Sequence, residues 1–386
     1  MDSCDVLIAG GGPAGSSCAW ALRSSGLDVR VLDKATFPRN KVCGGWITPE
    51  VLRALAIDPC DYASRDYAPG RTMQPITGFR ISSMGRREVD VTFPNIVSYG
   101  IQRREFDEYL LRRCGARVRE GVPITSIERV GDAWLINREI RARMLIGAGG
   151  HFCPIARALN SGRNGNTNGN HDASKNGKNE EPVVAQEIEF AMSPEQAAQC
   201  RVQGETPELY FCEDLKGYGW CFRKGNLLNI GLGRLDQRAL PEHVARFLEF
   251  LRAAGKVPFD LPGRLFGHAY LVSGYTPRKI VGDHVLLIGD SAGLAFPQSG
   301  EGILPAVESG LIAAGVVQSA AGDYSLDRLQ EYPALLTQRF GSHGGILQSL
   351  GRRLPSGMRK GIARWLLTKP SFCRHTAVEN WFLHAA

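Results

Sequence analysis

Three glycines at the spacing G-x-G-x-x-G, Gly10, Gly12 and Gly15, are the first residues in the chain that could do chemistry. They follow a short apolar run, Val6 to Ala9, and lead into an apolar-rich stretch, Ala14 to Leu22. Gly10 permits a tight strand-to-helix turn, Gly12 lacks the Cβ that would block a pyrophosphate, and Gly15 lets helix and strand pack closely. Pro13 and Ala14 complete the turn, and the helix start offers free N–H groups and about half a positive charge to phosphates. A second apolar run, Val29 to Leu32, ends in Asp33 and Lys34. Asp33 stands 23 positions after Gly10, close to the roughly 20 expected of a ribose-binding carboxylate. Strand, glycine turn, helix, strand and acid together predict a dinucleotide site.

Two further groups of residues have chemistry of their own. Cys43-Gly44-Gly45 follows the loop signal Phe37-Pro38-Arg39 and precedes a helix expected near Pro49. A thiol before two glycines is either buried at a bend or turned toward a bound cofactor. Its loop leaves the second strand on the dinucleotide side, which favours the cofactor. Tyr218, Trp220 and Phe222 alternate along one strand and so share a face. Such a row is either plain core or the lining of a pocket.

The elements that must position these residues alternate between strand and helix. Ile76 to Phe93 reads as two short strands, and IQRREFDEYLLRRC as a helix with Phe106, Leu110 and Leu111 turned inward. Ala116 to Val122 is a strand whose end, at Val122, would meet an adenine; Pro123 to Val130 and Ala133 to Asn137 form a hairpin. Arg143 to Gly150 is a strand running into glycines. Pro182 to Ala191 restarts alternation, and Leu227 to Leu232 returns antiparallel to the aromatic strand after the turn Lys224-Gly225-Asn226. Leu240 to Ala254 is a helix, Gly282 to Asp290 a strand, a helix begins near Glu301, and the chain is helical from Tyr332. Residues 160–181 contain no aliphatic or aromatic residue larger than alanine. They cannot offset their ordering entropy by burial, so a disordered insertion is expected, with His171 solvated and no metal site.

Composition bounds the rest. A chain of 386 residues with 43% hydrophobic and 22% charged residues suits one large soluble domain or two intertwined ones. The ten cysteines are scattered without a C-x-x-C pair, and no basic and apolar leader opens the chain. These features predict a reducing cytoplasm without disulfides. No run of 18 apolar residues occurs. The net charge of +7 comes with clusters at Arg103 to Arg119 and Arg352 to Lys369 but with no nucleic-acid recognition motif, so no nucleic-acid partner is expected.

Gly10 to Gly15, GGGPAG, together with Phe37 to Gly45, FPRNKVCGG, resembles the geranylgeranyl reductase family of flavoproteins. That family lies in the larger group that includes p-hydroxybenzoate hydroxylase and the flavin-dependent halogenases. The resemblance implies an α/β fold in which a Rossmann-like FAD-binding domain is interleaved with an antiparallel substrate-binding sheet and followed by a C-terminal helical cap. It places the FAD domain at 1–70, 97–158 and 266–325, the substrate domain at 71–96 and 182–265, and the cap at 326–386. It implies that Arg103, in R-x-x-F-D with Phe106 and Asp107, reaches the FAD phosphates, and that Arg39, Gly44 and Gly45 also serve the cofactor. Gly149 stands where the family usually has aspartate, with Arg157 in the later arginine position, which leaves FAD binding intact and direct NADPH use in doubt. Asp290 would accept from the ribityl hydroxyls. Gly300, Gly302 and Ile303 would face the flavin's pyrimidine ring, where a helix start stabilises the reduced cofactor. Tyr218, Trp220 and Phe222 match the family's Y-x-W-x-F, with Arg223 in place of the usual proline.

The resemblance therefore implies an enzyme that uses FAD, and NAD(P)H or another reductant, to reduce carbon–carbon double bonds of an isoprenoid or other apolar, prenylated small molecule. Cys43 is the expected active-site residue, Tyr218 a proton-donor candidate, and Trp220 lines the tunnel with Phe222. The basic stretch Leu347 to Lys369 either rests on a bilayer surface or is a solvated cap. Two alternatives stay open: an oxygen-using hydroxylase or halogenase, and a non-catalytic FAD-holding module at a membrane surface or in redox sensing. The halogenase loop normally carries Gly-Glu-Ser where this chain has Cys43-Gly44-Gly45.

Overall fold

The computed structural model describes residues 2–64, 70–161, 182–236, 239–273, 278–341 and 356–384. The expected insertion, apart from Asn160 and Ser161, lies outside the described residues, as do His171 and Leu347 to Leu354. Elements run β1 (Asp2–Ala9), α1 (Pro13–Leu22), β2 (Val29–Leu32), β3 (Trp46–Ile47), α2 (Pro49–Ala54), α3 (Pro59–Ala63), β4 (Met73–Ile76), β5 (Gly78–Ser83), β6 (Val89–Thr92), β7 (Ser98–Ile101) and α4 (Arg103–Arg112). Next come β8 (Arg117–Arg119), β9 (Ile127–Val130), β10 (Ala133–Ile136), β11 (Ile140–Gly147), α5 (Pro154–Asn160), β12 (Val183–Ala191), α6 (Pro194–Gln199), β13 (Glu208–Phe211), β14 (Gly217–Lys224), β15 (Leu227–Arg234) and α7 (Leu240–Ala253). The last are β16 (Phe266–Tyr270), β17 (Val281–Gly282), β18 (Val285–Leu287), a 3-10 turn (Gly289–Ser291), α8 (Ile303–Ser319), α9 (Leu326–Leu329) and α10 (Glu331–Phe340). Helical segments Ser356–Leu366, Pro370–Phe372 and Cys373–Phe382 close the chain.

Internal contacts divide the chain into two units. The first comprises Met1–Asn40, Arg104–Glu181 and Tyr270–His343. Its sheet runs β17-β18-β11-β1-β2-β8, with the hairpin β9–β10 attached to β11. β1 lies between β11 and β2, parallel to both. A central strand covered on both faces needs an uninterrupted apolar run, and Val6, Leu7 and Ile8 are fully buried. The strand ends at the glycine turn, so the sheet aims that turn. α1 lies against α8 closely enough that a Cβ on Gly310 would collide with the Ala14 carbonyl.

The second unit comprises Lys41–Arg103, Pro182–Ala269 and Gly344–Ala386. Its main sheet runs β16-β12-β15-β14-β13-β5-β6, and a small one runs β3-β7-β4. Strands β12, β15, β14 and β13 pair antiparallel, so successive residues serve opposite faces. Trp220 and Phe222 enter one core with Trp46, Phe79 and the C-terminal Ala377, Val378 and Phe382. Cys221 enters the other with Tyr210, Ile230 and Phe247. That second core is closed by α7, whose Leu240, Val244, Phe247 and Leu251 recur at helical spacing.

These boundaries differ from the expected ones. Residues 41–70 and 97–103 fall in the second unit, because β3 and β4 both pair with β7. The expected cap at 326–386 is divided: α9 and α10 belong to the first unit, while Cys373–Phe382 packs into the second unit's core. The strand expected over Ala116 to Val122 is limited to Arg117–Arg119, after which Val122 N–H donates to the Asp33 carbonyl from a loop. The helix expected near Glu301 starts at Ile303.

Candidate functional site

Within the first unit, the glycine turn is built almost wholly from backbone. Gly10 sits at φ +123°, where a Cβ would run into the Ala148 carbonyl, and a Cβ on Gly15 would overlap the Gly10 carbonyl oxygen. Gly12 opens α1 as its N-cap, with no side chain capping it and no acid in the first turn. The helix start is therefore left to an anion. The Arg39 guanidinium lies 3.3 Å from where a Gly12 Cβ would sit. It is held there by the buried Asp107 carboxylate at 3.1 Å and rests over the Phe37 ring at 4.8 Å. Asp33 accepts from Gly11 N–H at 2.7 Å and from Ala35 N–H at 2.8 Å. Each of its oxygens keeps a further acceptor position for a ribose hydroxyl. The neighbouring Lys34 is exposed, and Val122 is half-buried.

A second set in the same unit gathers around the start of α8. Asp290 follows β18 in the 3-10 turn, and its Oδ1 lies 3.1 Å from where a Gly302 Cβ would be. The turn is fixed from two sides: Gly289 N–H donates to Ser309 Oγ at 2.9 Å, and Arg278 donates to the Ser291 carbonyl at 2.7 Å. Gly300 sits at φ +67°, where a Cβ would strike the Tyr270 hydroxyl. Glu301 Oε1 accepts from Leu304 N–H at 3.2 Å. The first turn of α8 carries no acid and Gly302, its N-cap, makes no side-chain cap. The N–H groups of Gly302 and Ile303 and the Asp290 carboxylate thus offer donors and an acceptor side by side, which fits a flavin's ring and its ribityl chain. Gly149 is exposed, and a Cβ there would meet Cys153 Sγ and Cα at 3.3 Å. The buried Cys153 thus makes an aspartate at 149 sterically tight.

The second unit holds Cys43. Its half-buried loop is seated on side chains of β12, β14 and β15. Cys43 N–H donates to Glu187 Oε1 at 2.6 Å, and the Cys43 carbonyl accepts from Asn229 Nδ2 at 3.2 Å. Asn229 Oδ1 in turn accepts from Trp220 Nε1 at 2.7 Å. Lys224 pairs with Glu189 at 2.6 Å and donates to the Ile101 carbonyl at 2.8 Å. A Cβ on Gly45, at φ +66°, would overlap that carbonyl and Lys224 Nζ. A Cβ on Gly44 would come to 3.0 Å from Phe222, so the loop lies on the aromatic row. Burial pushes the Glu187 carboxyl up to about 7, although the Cys43 N–H and the Lys224 charge pull it down. Tyr218 packs edge-on against Phe382 at 5.5 Å and lies 6.1 Å from the Trp220 ring.

The structure thus brings Gly10, Gly12, Gly15, Asp33 and Arg39 together in one unit, with Asp290, Gly302 and Ile303 gathered in the same unit. Cys43, Gly44, Gly45, Trp220 and Phe222 come together in the other. Arg103 opens α4 and is buried. Sequence reasoning passed over Glu187, Glu189 and Asn229, read Lys224 only as part of a turn, and gave Asp107 no role beyond its place in R-x-x-F-D. The signal for the glutamates is two acids at alternate positions in the otherwise apolar VVAQEIEFA. For Asn229 it is one amide between Leu228 and Ile230. Among the described residues no cluster could hold a metal, and no helix is long and apolar enough to cross a membrane.

Comparison with known proteins places this arrangement. Residues 8–77 match the family model for an NAD(P)-binding Rossmann-like domain. The chain is similar to a menaquinone reductase of Mycobacterium tuberculosis, 30% identical over 403 residues that cover 98% of this chain and 90% of the relative. It is 27% identical to digeranylgeranylglycerophospholipid reductase 2 of Methanosphaera stadtmanae, over 89% of this chain and 85% of the relative. Among solved structures, a geranylgeranyl bacteriochlorophyll reductase-like protein of Thermoplasma acidophilum shares the fold at a TM-score of 0.72 and 23% identity, covering 95% of this chain and 88% of that one. An identity of 30% along almost the full chain, on top of the glycine turn and the Cys43 loop, makes this protein a member of the geranylgeranyl reductase family of FAD-dependent oxidoreductases.

Proposed function

We propose that the protein reduces carbon–carbon double bonds in the chain of an isoprenoid or comparably apolar lipid. The observation that carries this reading is the seating of the Cys43–Gly45 loop on the Trp220–Phe222 row, where a Cβ on Gly44 would lie 3.0 Å from the Phe222 ring and 3.5 Å from Trp220 Nε1. Relatives named for a quinone and for a glycerophospholipid with prenyl chains support it. FAD held by the glycine turn, Arg39, Asp33 and Asp290 would, once reduced, supply the hydride, and NAD(P)H or another reductant would replenish it. Reduction of a double bond also needs one proton at the second carbon, a role we assign to Cys43, with Tyr218 as the weaker candidate. Trp220 and Phe222 line the apolar surface and keep water from it. The glycine turn, Arg39, Asp33 and Asp290 would bind and orient the cofactor, as would the N–H groups of Gly302 and Ile303. Ser356–Leu366 exposes Ile362 and Trp365, with Lys369 Nζ 4.5 Å over the Trp365 ring, and this apolar and basic edge provides peripheral contact with a bilayer that carries the substrate.

The test is anaerobic photoreduction of the holoenzyme followed by a panel of polyprenyl quinones and prenylated lipids. Reoxidation of the flavin with loss of a substrate double bond is the expected result. Reoxidation by oxygen alone, with an oxygenated or halogenated product, overturns the reading. Cys43→Ala should retain FAD and lower turnover by about tenfold or more, in line with the loss of a positioned proton-transfer group; unchanged turnover removes Cys43 from its role.

A further inference from the structure

We infer that Glu187 is a positioning residue that grips the Cys43–Gly45 loop through its peptide groups together with Asn229, and that the grip weakens when Glu187 ionises. The inference rests on the Cys43 loop being part of the reaction site, but its test reads the loop and not turnover.

The sheet register makes the clamp. Glu187 on β12 stands opposite Gly231 on β15, which stands opposite Trp220 on β14. Glu189, Asn229 and Phe222 form the next row on the same face. Gly231 leaves room in its row for the indole, because a Cβ there would fall within the Trp220 ring. The two rows deliver one acceptor and one donor to the loop: Glu187 Oε1 for Cys43 N–H and Asn229 Nδ2 for the Cys43 carbonyl.

Glu187 is only 5% exposed, and its Oε2 is buried without a hydrogen-bond partner among the described residues. The groups that face it are Cys43 on the loop, Glu189 on its own strand, Lys224 on β14 and Asn229 on β15. Lys224 is already paired with Glu189 at 2.6 Å. A charge on Glu187 therefore has the Cys43 N–H, a smaller contribution from the Asn229 amide and the attraction of a Lys224 that is already paired with Glu189, which is a costly state for a buried carboxylate. Burial raises the carboxyl from its ordinary 4.5 to about 7 while the loop is seated. When the loop lifts and water enters, the carboxyl returns toward 4.5. The seated loop is thus favoured fully below about pH 4.5, loses ground as pH rises toward 7, and changes little beyond. Between pH 5.5 and 8 the loss in the seated-to-lifted ratio is about 27-fold.

The experiment is amide hydrogen–deuterium exchange of the peptide covering 41–46 in the full-length holoenzyme, from pH 5.5 to 8, with the intrinsic pH dependence of exchange divided out. Wild-type protection should fall about 27-fold across this range. Glu187→Gln keeps an acceptor that cannot ionise, so its protection should stay level; Glu187→Ala should lose protection throughout, with FAD content confirming that each variant is folded. Level wild-type protection, or a Gln variant that falls like the wild type, overturns the inference. Should Cys43→Ala leave turnover untouched while these profiles hold, the clamp stands and the catalytic reading of the loop fails.

Discussion

The turn at Gly10–Gly15 and the loop at Cys43–Gly45 are both glycine-bearing segments, yet they are held by opposite means. The first relies on backbone groups and missing Cβ atoms, with the carboxylate of Asp33 and the Arg39–Asp107 pair as its charged supports. The second is gripped by side chains from three strands: Glu187 and Glu189, Trp220 and Lys224, and Asn229. A site made of backbone is insensitive to pH and intolerant of added atoms. One made of buried side chains tolerates small changes in shape but depends on every donor and proton being in place. The contrast suits the proposed division, in which the first unit holds the cofactor and the second meets an apolar substrate.

The largest test of that contrast is Gly15→Ala. The new methyl would overlap the Gly10 carbonyl, so the variant should lose about 3 kcal/mol or more of stability and purify without flavin absorbance. A yellow, normally stable variant would break the comparison at its stronger end. Arg39→Ala removes the cation over the turn and should weaken FAD binding about 10- to 100-fold in a fluorescence titration. Arg39→Lys should recover only part of this, since lysine lacks the planar fork; full affinity in the alanine variant would mean the backbone holds the phosphates unaided. The smallest effect expected is from Trp220→Phe, which leaves Asn229 Oδ1 without its donor at 2.7 Å. It should cost about 1–3 kcal/mol of unfolding free energy, read as a lowered denaturant midpoint at unchanged slope, with FAD affinity unchanged. A parallel fall in FAD affinity would sharpen the comparison by linking the two regions energetically.

The first region was legible in the sequence because its physics is local. Gly10, Gly12 and Gly15 lie within six residues, their spacing matches the turn they make, and Asp33 closes the same strand–helix–strand unit. The aromatic row was half legible: alternation placed Tyr218, Trp220 and Phe222 on one face, but nothing along the chain said that Phe382 and Ala377 would cover that face. The compact units differ from the expected segments for a related reason. Trp46–Ile47 looks like part of the loop leaving the first sheet, and only its pairing with β7 assigns it to the second.

By itself, the order of residues determined the α/β fold, the dinucleotide turn, the flavoprotein resemblance and the thiol-bearing loop. Each is written in side-chain periodicity or in glycines a few positions apart, so short-range sterics suffice. Tertiary structure alone decided that Glu187, Asn229 and Cys43 meet and that Arg39 finds Asp107. These partners are separated by 68 to 186 residues in the chain and are matched only by strand register and by helix packing. A one-residue slip of β12 against β15 would turn both glutamates to the other face of the sheet. The meeting of Glu187 with the Cys43 loop is therefore a property of the register.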